Sequence, residues 1–451
     1  MRYSLSKYTR VIPCDNSDNL IIFNSFNGSQ SYVFDADIKA QIKSLQYEPM
    51  EGAKINDALK VKYCVEDGID ENELVINAID KSVHTTGALK IIIIPTTDCN
   101  FSCVYCYEKK EHGFISDETM DNLYKAIVHF FASAESPMSL QLDWFGGEPM
   151  LYYDKLLSFC CTVNQFCREH SIAYQHSITT NGYLLTAEKA KQLIENGVNL
   201  FQITVDGMST THDQYRHLID GSPTWQKIID NLLALKSLDD NFKVQLRINY
   251  NMDIVASLES FFDFFVSSFG GDHRFDILFH AIGHWGGEND CSVNIISPEY
   301  QSFVMCELMR AGVERGVTNF VPYIPHCGAE LCYANMEHSY VIYKNGLIGK
   351  CTLEESPDIE SDFVIGDINQ GYFYIDPEKE KKWISSKEDY QAYVKQVGCE
   401  DCISFPICGG ISCPAVRVRN GSKGKKCTPT MACIDELIKM NYELSKGAGN
   451  Q

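Results

Sequence analysis

The sequence predicts an α/β protein built on a parallel sheet, with a small α+β unit before the sheet and a cysteine-rich segment after it. Three observations carry this reading. Between residues 89 and 315, six apolar runs of strand length alternate with amphipathic helical patterns. Before residue 85 the apolar runs are shorter and are broken by turn residues. Beyond about residue 320 the alternation fails, and Gly, Pro and Cys become frequent. The chain has 451 residues, room for more than one domain at about 100–200 residues each.

In residues 1–85, Leu20–Asn24 and Ser31–Phe34 flank Asn27-Gly28-Ser29, which predicts a hairpin. Helical patterns follow at Asp37–Leu45, Ile55–Tyr63 and Glu71–Asp80, and no residue here reads as catalytic. Residues 86–318 hold the predicted strands Leu89–Pro95, Ser139–Phe145, Tyr174–Thr180, Leu200–Val205, Lys243–Tyr250 and Arg274–Phe279. The helices between and after them are Asp117–Ala134, Tyr153–Glu169, Ala187–Asn196, Thr224–Leu238, Ser257–Ser268 and Pro298–Arg315. Strict alternation implies right-handed crossovers, with ligands at the edge where the strands end. Residues 319–440 have little core of their own and need staples, and 441–451 read as a tail.

Composition narrows the function. Apolar residues are 45% and charged residues 22% of the chain, as in globular proteins. The net charge of −21 argues against a nucleic-acid partner, whose phosphates need Lys and Arg. No run approaches 18 apolar residues and Met1–Arg10 leads into no apolar signal segment. The expectation is a cytoplasmic protein without a membrane partner. Nineteen cysteines in such a chain point to metal or redox chemistry rather than disulfides. They cluster at Cys99–Cys106, Cys327–Cys351 and Cys399–Cys433.

The first cluster, Cys99-x3-Cys103-x2-Cys106, begins four residues beyond the first sheet strand. Three thiolates on one short loop can hold three irons of a cubane and leave the fourth open to a small ligand. A zinc knuckle would instead show paired Cys-x2-Cys spacings and four ligands. Gly146-Gly147-Glu148-Pro149 follows the second strand: a carboxylate suits an ammonium group, and glycine lets backbone approach a ligand. Thr179-Thr180-Asn181-Gly182 ends the third strand, Asp206-Gly207 with His212 and Arg216 follows the fourth, and Arg247 lies on the fifth.

These motifs, in this order, resemble the radical SAM superfamily. The resemblance implies a partial (β/α)6 TIM-type barrel over residues 86–318 that binds S-adenosylmethionine. Cys99, Cys103 and Cys106 would ligate a [4Fe–4S] cluster, with Tyr105 beside the cofactor. Gly146, Gly147, Glu148 and Pro149 would meet the methionyl amine, Thr180 and Asn181 the ribose and carboxylate, and Arg247 the carboxylate. The reaction implied is reductive cleavage to a 5′-deoxyadenosyl radical that abstracts hydrogen from substrate. The electron would come from a donor such as flavodoxin or ferredoxin.

The later cysteines read Cys327-x4-Cys332-x13-Gly346-x4-Cys351, then Cys399-x2-Cys402-x5-Cys408-x4-Cys413, then Cys427. This is similar to the SPASM extension of radical SAM proteins, with one residue more than usual before Cys413. By that resemblance two auxiliary [4Fe–4S] clusters would take Cys327, Cys332, Cys351 and Cys413, and Cys399, Cys402, Cys408 and Cys427. Three clusters in all are expected. Cys433 rivals Cys427, and an open iron results if Cys327 is not a ligand.

Such proteins mostly act on peptides, and a small winged-helix-like unit in the position of residues 1–85 would bind a precursor's leader by strand addition. The expectation is therefore a maturase of a ribosomally made peptide. An intramolecular thioether from a substrate Cys is favoured, and a carbon–carbon cross-link follows closely. Glu354 is the first candidate for a base, ahead of Asp143 and Glu355. Formylglycine formation on a sulfatase is an alternative. It is disfavoured by the long N-terminal unit and by Thr352, which stands where that group places an acid. A non-catalytic iron–sulfur electron carrier is a further alternative, which would need neither the Gly146–Pro149 turn nor the sheet.

Overall fold

The computed structural model describes all residues except 15–16, 135–136, 286–292, 321–325, 355–356, 411–412, 421–432 and 449–451. Cys427, Glu355 and Cys291 therefore lie outside the described residues. The chain divides into two units: residues 1–85, 322–337 and 384–451 form one, and 86–321 with 338–383 form the other.

The first unit opens with β1 (Arg2–Leu5), β2 (Thr9–Pro13), β3 (Leu20–Asn24) and β4 (Gln30–Val33). The expected hairpin is β3–β4, and β2 extends it to an antiparallel sheet ordered β2-β3-β4. Helices α1 (Ala36–Leu45), α2 (Asp57–Tyr63) and α3 (Glu71–Val83) follow, with the short strands β5 (Met50–Glu51) and β6 (Cys64–Glu66) flanking β1 in a second sheet. Asp35, Asn56 and Asp70 start the three helices, each side chain accepting from backbone N–H groups of the first turn. Ile22, Val33, Ile42, Leu45, Leu59 and Tyr63 form the core under β3, β4, α1 and α2.

The second unit is α/β, with a large parallel sheet. Strands β7 (Ala88–Ile93), β8 (Ser139–Trp144), β9 (Ala173–Thr180), β10 (Leu200–Thr204), β11 (Lys243–Tyr250) and β12 (Phe275–Ala281) lie side by side in chain order, all parallel. The connecting helices are α4 (Asp117–Ser133), α5 (Tyr153–Glu169), α6 (Ala187–Glu195), α7 (Ser209–Tyr215), α8 (Trp225–Lys236), α9 (Met252–Val255) and α10 (Leu258–Phe269), and α11 (Pro298–Glu314) follows β12. One face of each strand is apolar and buried, as with Leu140, Leu142 and Trp144 on β8. The other carries polar side chains such as Gln141 and Asp143, only partly buried. Lys90 and Asp143 form an ion pair on this polar face.

The sheet continues past the segment boundary expected at residue 318. Strand β13 (Ser339–Ile342) pairs parallel to β7, and β14 (Leu347–Gly349), β15 (Val364–Asp367) and β16 (Tyr374–Ile375) add antiparallel strands, ten in all. Every residue of β13 is buried. The short helix α12 (Pro377–Glu380) follows.

The rest of the chain returns to the first unit as α13 (Lys387–Val397), α14 (Phe405–Cys408), α15 (Pro414–Asn420) and α16 (Ile434–Ala448). Ser386 and Asp389 close a reciprocal capping box on α13, and Gly398 ends it at φ +67°. Tyr8, Val75, Ile76, Ile79, Tyr390, Val394, Cys399 and Phe405 share one core there, with Cys327 and Cys402 packed against it. Among the described residues, no helix is long and apolar enough to cross a membrane.

Candidate active site

A cavity of about 160 Å³ opens at the C-terminal ends of the parallel strands. The loop after β7 contributes Cys99, Cys103, Tyr105 and Cys106, the turn after β8 contributes Gly146 and Gly147, and β9 contributes Thr180 and Asn181. Thr204, Arg247, Asn249 and His280 line it from β10, β11 and β12, with Trp285 beyond. Nine residues proposed from sequence thus meet at one place: Cys99, Cys103, Cys106, Tyr105, Gly146, Gly147, Thr180, Asn181 and Arg247.

The cysteine loop is fixed at both ends. At its base, Thr96 Oγ1 donates to Gly113 O at 2.7 Å and Thr97 Oγ1 to Glu111 O at 3.0 Å. The Asp98 carboxylate accepts from Gly113 N–H at 3.1 Å. Further on, the loop runs antiparallel to the segment after α7: Ser102 N–H donates to His217 O and Val104 N–H to Tyr215 O, both at 2.9 Å, and Phe101 bridges Leu218. Cys99 Sγ accepts from Phe101 N–H at 3.4 Å and from Asn181 Nδ2 at 3.9 Å. Burial pushes the Cys99 thiol up to about 12 and raises Cys103 and Cys106 as well. The thiols are therefore neutral until a metal displaces their protons.

Gly146 and Gly147 form the turn facing this loop. A Cβ on Gly147 would meet Asp98 O at 2.2 Å, and one on Gly146, where φ is +102°, would meet Thr96 O at 2.6 Å. Only glycine lets the turn lie against the loop backbone. Glu148 and Pro149 behave differently from the expectation that they meet a ligand. Glu148 is fully buried and does not line the cavity. Its carboxylate accepts from Thr180 Oγ1 at 2.6 Å, Asn181 N–H at 2.7 Å and Met150 N–H at 2.9 Å. It ties the glycine turn to the end of β9. Pro149 is buried at the first position of a short 3-10 helix that Glu148 caps.

The Tyr105 hydroxyl is a hub. It donates to the Asp206 carboxylate and accepts from Arg216 Nη1 at 2.9 Å and Asn249 Nδ2 at 3.0 Å. Asn249 N–H donates to Asp206 Oδ1 at 2.8 Å, and Arg247 Nε donates to Asn249 Oδ1 at 2.8 Å. Asp206 and His212 are fully buried. His212 Nδ1 accepts from Asp206 N–H at 3.1 Å, which leaves its proton on Nε2, facing Thr224 Oγ1 at 3.2 Å. Burial pushes Asp206 above the usual carboxylate range, against the pull of Arg216. Burial likewise drives His280 down to about 3, so it stands neutral beside Arg247.

Asn249 and His280 went unmarked in the sequence. Both lie near strand ends, Asn249 two residues beyond Arg247 on the same face and opposite His280. That spacing was the available signal. Glu354 sits away from the cavity lining and accepts from Ser361 Oγ at 3.2 Å. Among the later cysteines, Cys327, Cys332, Cys399, Cys402, Cys408 and Cys413 belong to the first unit and Cys351 to the second. Cys399, Cys402 and Cys408 lie close along the chain around α14, where Gly410 N–H donates to Cys408 Sγ at 3.4 Å. Among the described residues no three His, Cys, Asp or Glu side chains converge as ligands of a single metal ion.

The family model of the Radical SAM superfamily matches residues 93–248, which span the cysteine loop, the glycine turn and most of β11. The chain carries a radical SAM domain. Over 369 residues it is 23% identical to a serine-type anaerobic sulfatase-maturating enzyme of Bacteroides thetaiotaomicron, covering 72% of this chain and 82% of the relative. It is 28% identical over 168 residues to an Fe-coproporphyrin III synthase of Methanosarcina barkeri, covering 37% and 38% of the two chains. Among solved structures, native anSMEcpe with bound AdoMet superposes with a TM-score of 0.58 at 17% identity, over 80% of this chain and all of that one. Streptococcus suis SuiB bound to its precursor peptide SuiA gives 0.50 at 14% identity, over 95% and 98%. At these identities the two structures show a fold shared with this chain.

Proposed function

We propose that this radical SAM protein is a maturase of a ribosomally made peptide. The observation that carries the reading is the meeting of Cys99, Cys103 and Cys106 with the glycine turn and the end of β9 in one cavity. The donor set fits a [4Fe–4S] cluster with one open iron: three thiols on one loop, an N–H aimed at Cys99 Sγ, and a backbone cradle that only glycine allows. When bound, the cluster and S-adenosylmethionine supply a carbon radical that removes a hydrogen atom from substrate. Asn181, Thr180 and Arg247 offer polar groups to the cofactor, and Gly146 and Gly147 offer backbone. Glu148 acts by fixing the turn and the end of β9 together. Tyr105 holds the cysteine loop to the ends of β10 and β11.

A peptide substrate is supported by the N-terminal unit. Strand β4 is an edge of its sheet. Beside it a groove of about 260 Å³ is lined by Tyr32, Val33, Phe34, Ile38 and Leu59. An extended leader adding to β4 would seat alternate side chains there. The product we favour is a thioether cross-link. Cys327, Cys332, Cys351 and Cys413, and Cys399, Cys402, Cys408 and Cys427, would hold two auxiliary clusters that accept the electron left by bond formation. Flavodoxin or ferredoxin would supply the first electron.

Formylglycine formation is the second reading, favoured by the similarity to a sulfatase-maturating enzyme across 82% of that relative. Anaerobic incubation with dithionite and S-adenosylmethionine tests the core claim. We expect 5′-deoxyadenosine, lost in Cys99→Ala, Cys103→Ala and Cys106→Ala. Its absence from the reconstituted wild type under every reducing condition overturns the assignment. A cysteine-bearing precursor peptide, encoded beside this chain's gene, should lose two hydrogens and one free thiol. A product that instead reacts with a hydrazide on a sulfatase peptide selects the second reading.

A further inference from the structure

Arg216 lies in the segment that pairs with the cysteine loop, between Tyr215 and His217, whose carbonyls accept from Val104 and Ser102. Its Nη1 donates to the Tyr105 hydroxyl at 2.9 Å, and its guanidinium carbon lies 5.7 Å from the Phe101 ring centre. The two residues it touches stand two before and two after Cys103 in the chain. Its carbonyl accepts from Thr224 Oγ1 at 2.7 Å, and Thr224 Oγ1 is in turn met by His212 Nε2. Asp206, His212 and Arg216 are thus joined into one scaffold behind Cys103.

Arg216 keeps one donor of this scaffold unmatched. Arg216 is only 6% exposed, and its Nε has no hydrogen-bond partner among the described residues. Among the described residues no carboxylate forms an ion pair with it; Asp206 is reached through the Tyr105 hydroxyl. Burying a guanidinium costs free energy that the one carboxylate reached through that hydroxyl offsets in part and a further anion would offset more. Arg216 lines the same cavity as Cys99, Cys103 and Cys106. An anion at the cysteine loop would give the guanidinium a second charged partner.

We infer that Arg216 is the fixed counter-charge of the iron–sulfur cluster held by Cys99, Cys103 and Cys106, and that it raises that cluster's reduction potential. The inference rests on the cluster assignment made under the proposed function. A one-electron reductant adds one negative charge to the cluster, and a fixed cation nearby favours that charged form. Arg216 is a positioning and electrostatic residue, with no bond made or broken on it.

The test is an electron paramagnetic resonance titration of the full chain with dithionite, following the reduced-cluster signal that changes when S-adenosylmethionine is added, with bound iron measured alongside. Neutral Arg216→Gln and Arg216→Met should make one-electron reduction at least about tenfold less favourable, a downward shift of about 59 mV. Arg216→Lys should stay closer to the wild type than to either neutral variant. Neutral variants that hold no cluster while Arg216→Lys holds wild-type iron also support the charge role. Neutral variants at the wild-type potential, or a Lys variant that behaves like them, overturn it. Failure of the underlying cluster assignment looks different: the S-adenosylmethionine-sensitive signal would then survive Cys99→Ala, Cys103→Ala and Cys106→Ala in the wild-type background.

Discussion

Tyr105 donates its hydroxyl proton to the Asp206 carboxylate, and this bond ties the cysteine loop after β7 to the end of β10. The hydroxyl also takes up Arg216 Nη1 and Asn249 Nδ2. One atom therefore satisfies three buried polar groups from three segments of the chain.

Removing that atom takes one partner from each of the three, and Asp206 keeps the Asn249 N–H bond. Tyr105→Phe should cost about 1–3 kcal/mol for each buried group left without a partner, partly relieved by local rearrangement. We expect a lower urea midpoint and faster iron loss to a chelator than in the wild type. Equal iron retention in Tyr105→Phe would mean that the loop is held by its backbone pairing with residues 215–219 alone.

Glu148 makes a second structural claim that can be checked without cofactor. Both carboxylate oxygens are used as acceptors inside the chain, from Thr180, Asn181 and Met150. An amide at this position turns one acceptor into a donor that faces a donor. Glu148→Gln should destabilise the protein by about 1–3 kcal/mol with no S-adenosylmethionine present, read from urea unfolding monitored by circular dichroism. If the variant is as stable as the wild type and only cofactor affinity falls, Glu148 acts on the ligand directly.

The contrast between Tyr105 and Glu148 marks how far the sequence could be read. The six parallel strands and their helices were legible because each buries one face, and the apolar period follows from that burial. The site was legible as a set of residue types after strand ends. Directions were not. Glu148 was expected to face a ligand, and it faces inward, because its oxygens complete the first turn of a 3-10 helix and the end of β9. Strand β13 was missed because four buried residues, Ser339 to Ile342, give no period. The pairing of the cysteine loop with residues 215–219 leaves no local pattern at all, since each strand's partner lies across the sheet edge.

His176 supplies a pH dependence away from the cavity. It is buried between β9 and α5, with Nε2 accepting from Trp144 Nε1–H at 2.7 Å and Nδ1–H donating to the Tyr174 hydroxyl oxygen at 2.8 Å. Burial pushes it down to about 3, against a weaker opposing effect of Asp143. The unfolded chain binds a proton here below about pH 6.5, and the folded chain does not until far lower pH. This residue therefore withdraws stability as pH falls from about 6.5 towards 3, about 1.4 kcal/mol for each unit. Between pH 7 and pH 5 the loss should reach about 2 kcal/mol, and His176→Gln should flatten that part of the urea-midpoint profile. An unchanged slope in the variant would show that His176 titrates normally in the fold.

Phe34 offers the most direct test of peptide docking on the N-terminal unit. It follows edge strand β4, lines the groove beside it and is 61% exposed. An exposed aromatic at the mouth of an apolar groove is poised to be covered by a partner's side chain, and burying such a ring is worth about 1.5–3 kcal/mol. Phe34→Asp also places a charge where an extended peptide would lie, and it removes no core contact, so the unit should fold as before. We expect the dissociation constant of a fluorescent precursor leader to rise at least about tenfold, since about 1.4 kcal/mol corresponds to that factor. Circular dichroism and the urea midpoint should match the wild type, which separates lost docking from lost folding. An unchanged dissociation constant would remove the β4 groove from the recognition path and leave the peptide to be held by the sheet unit.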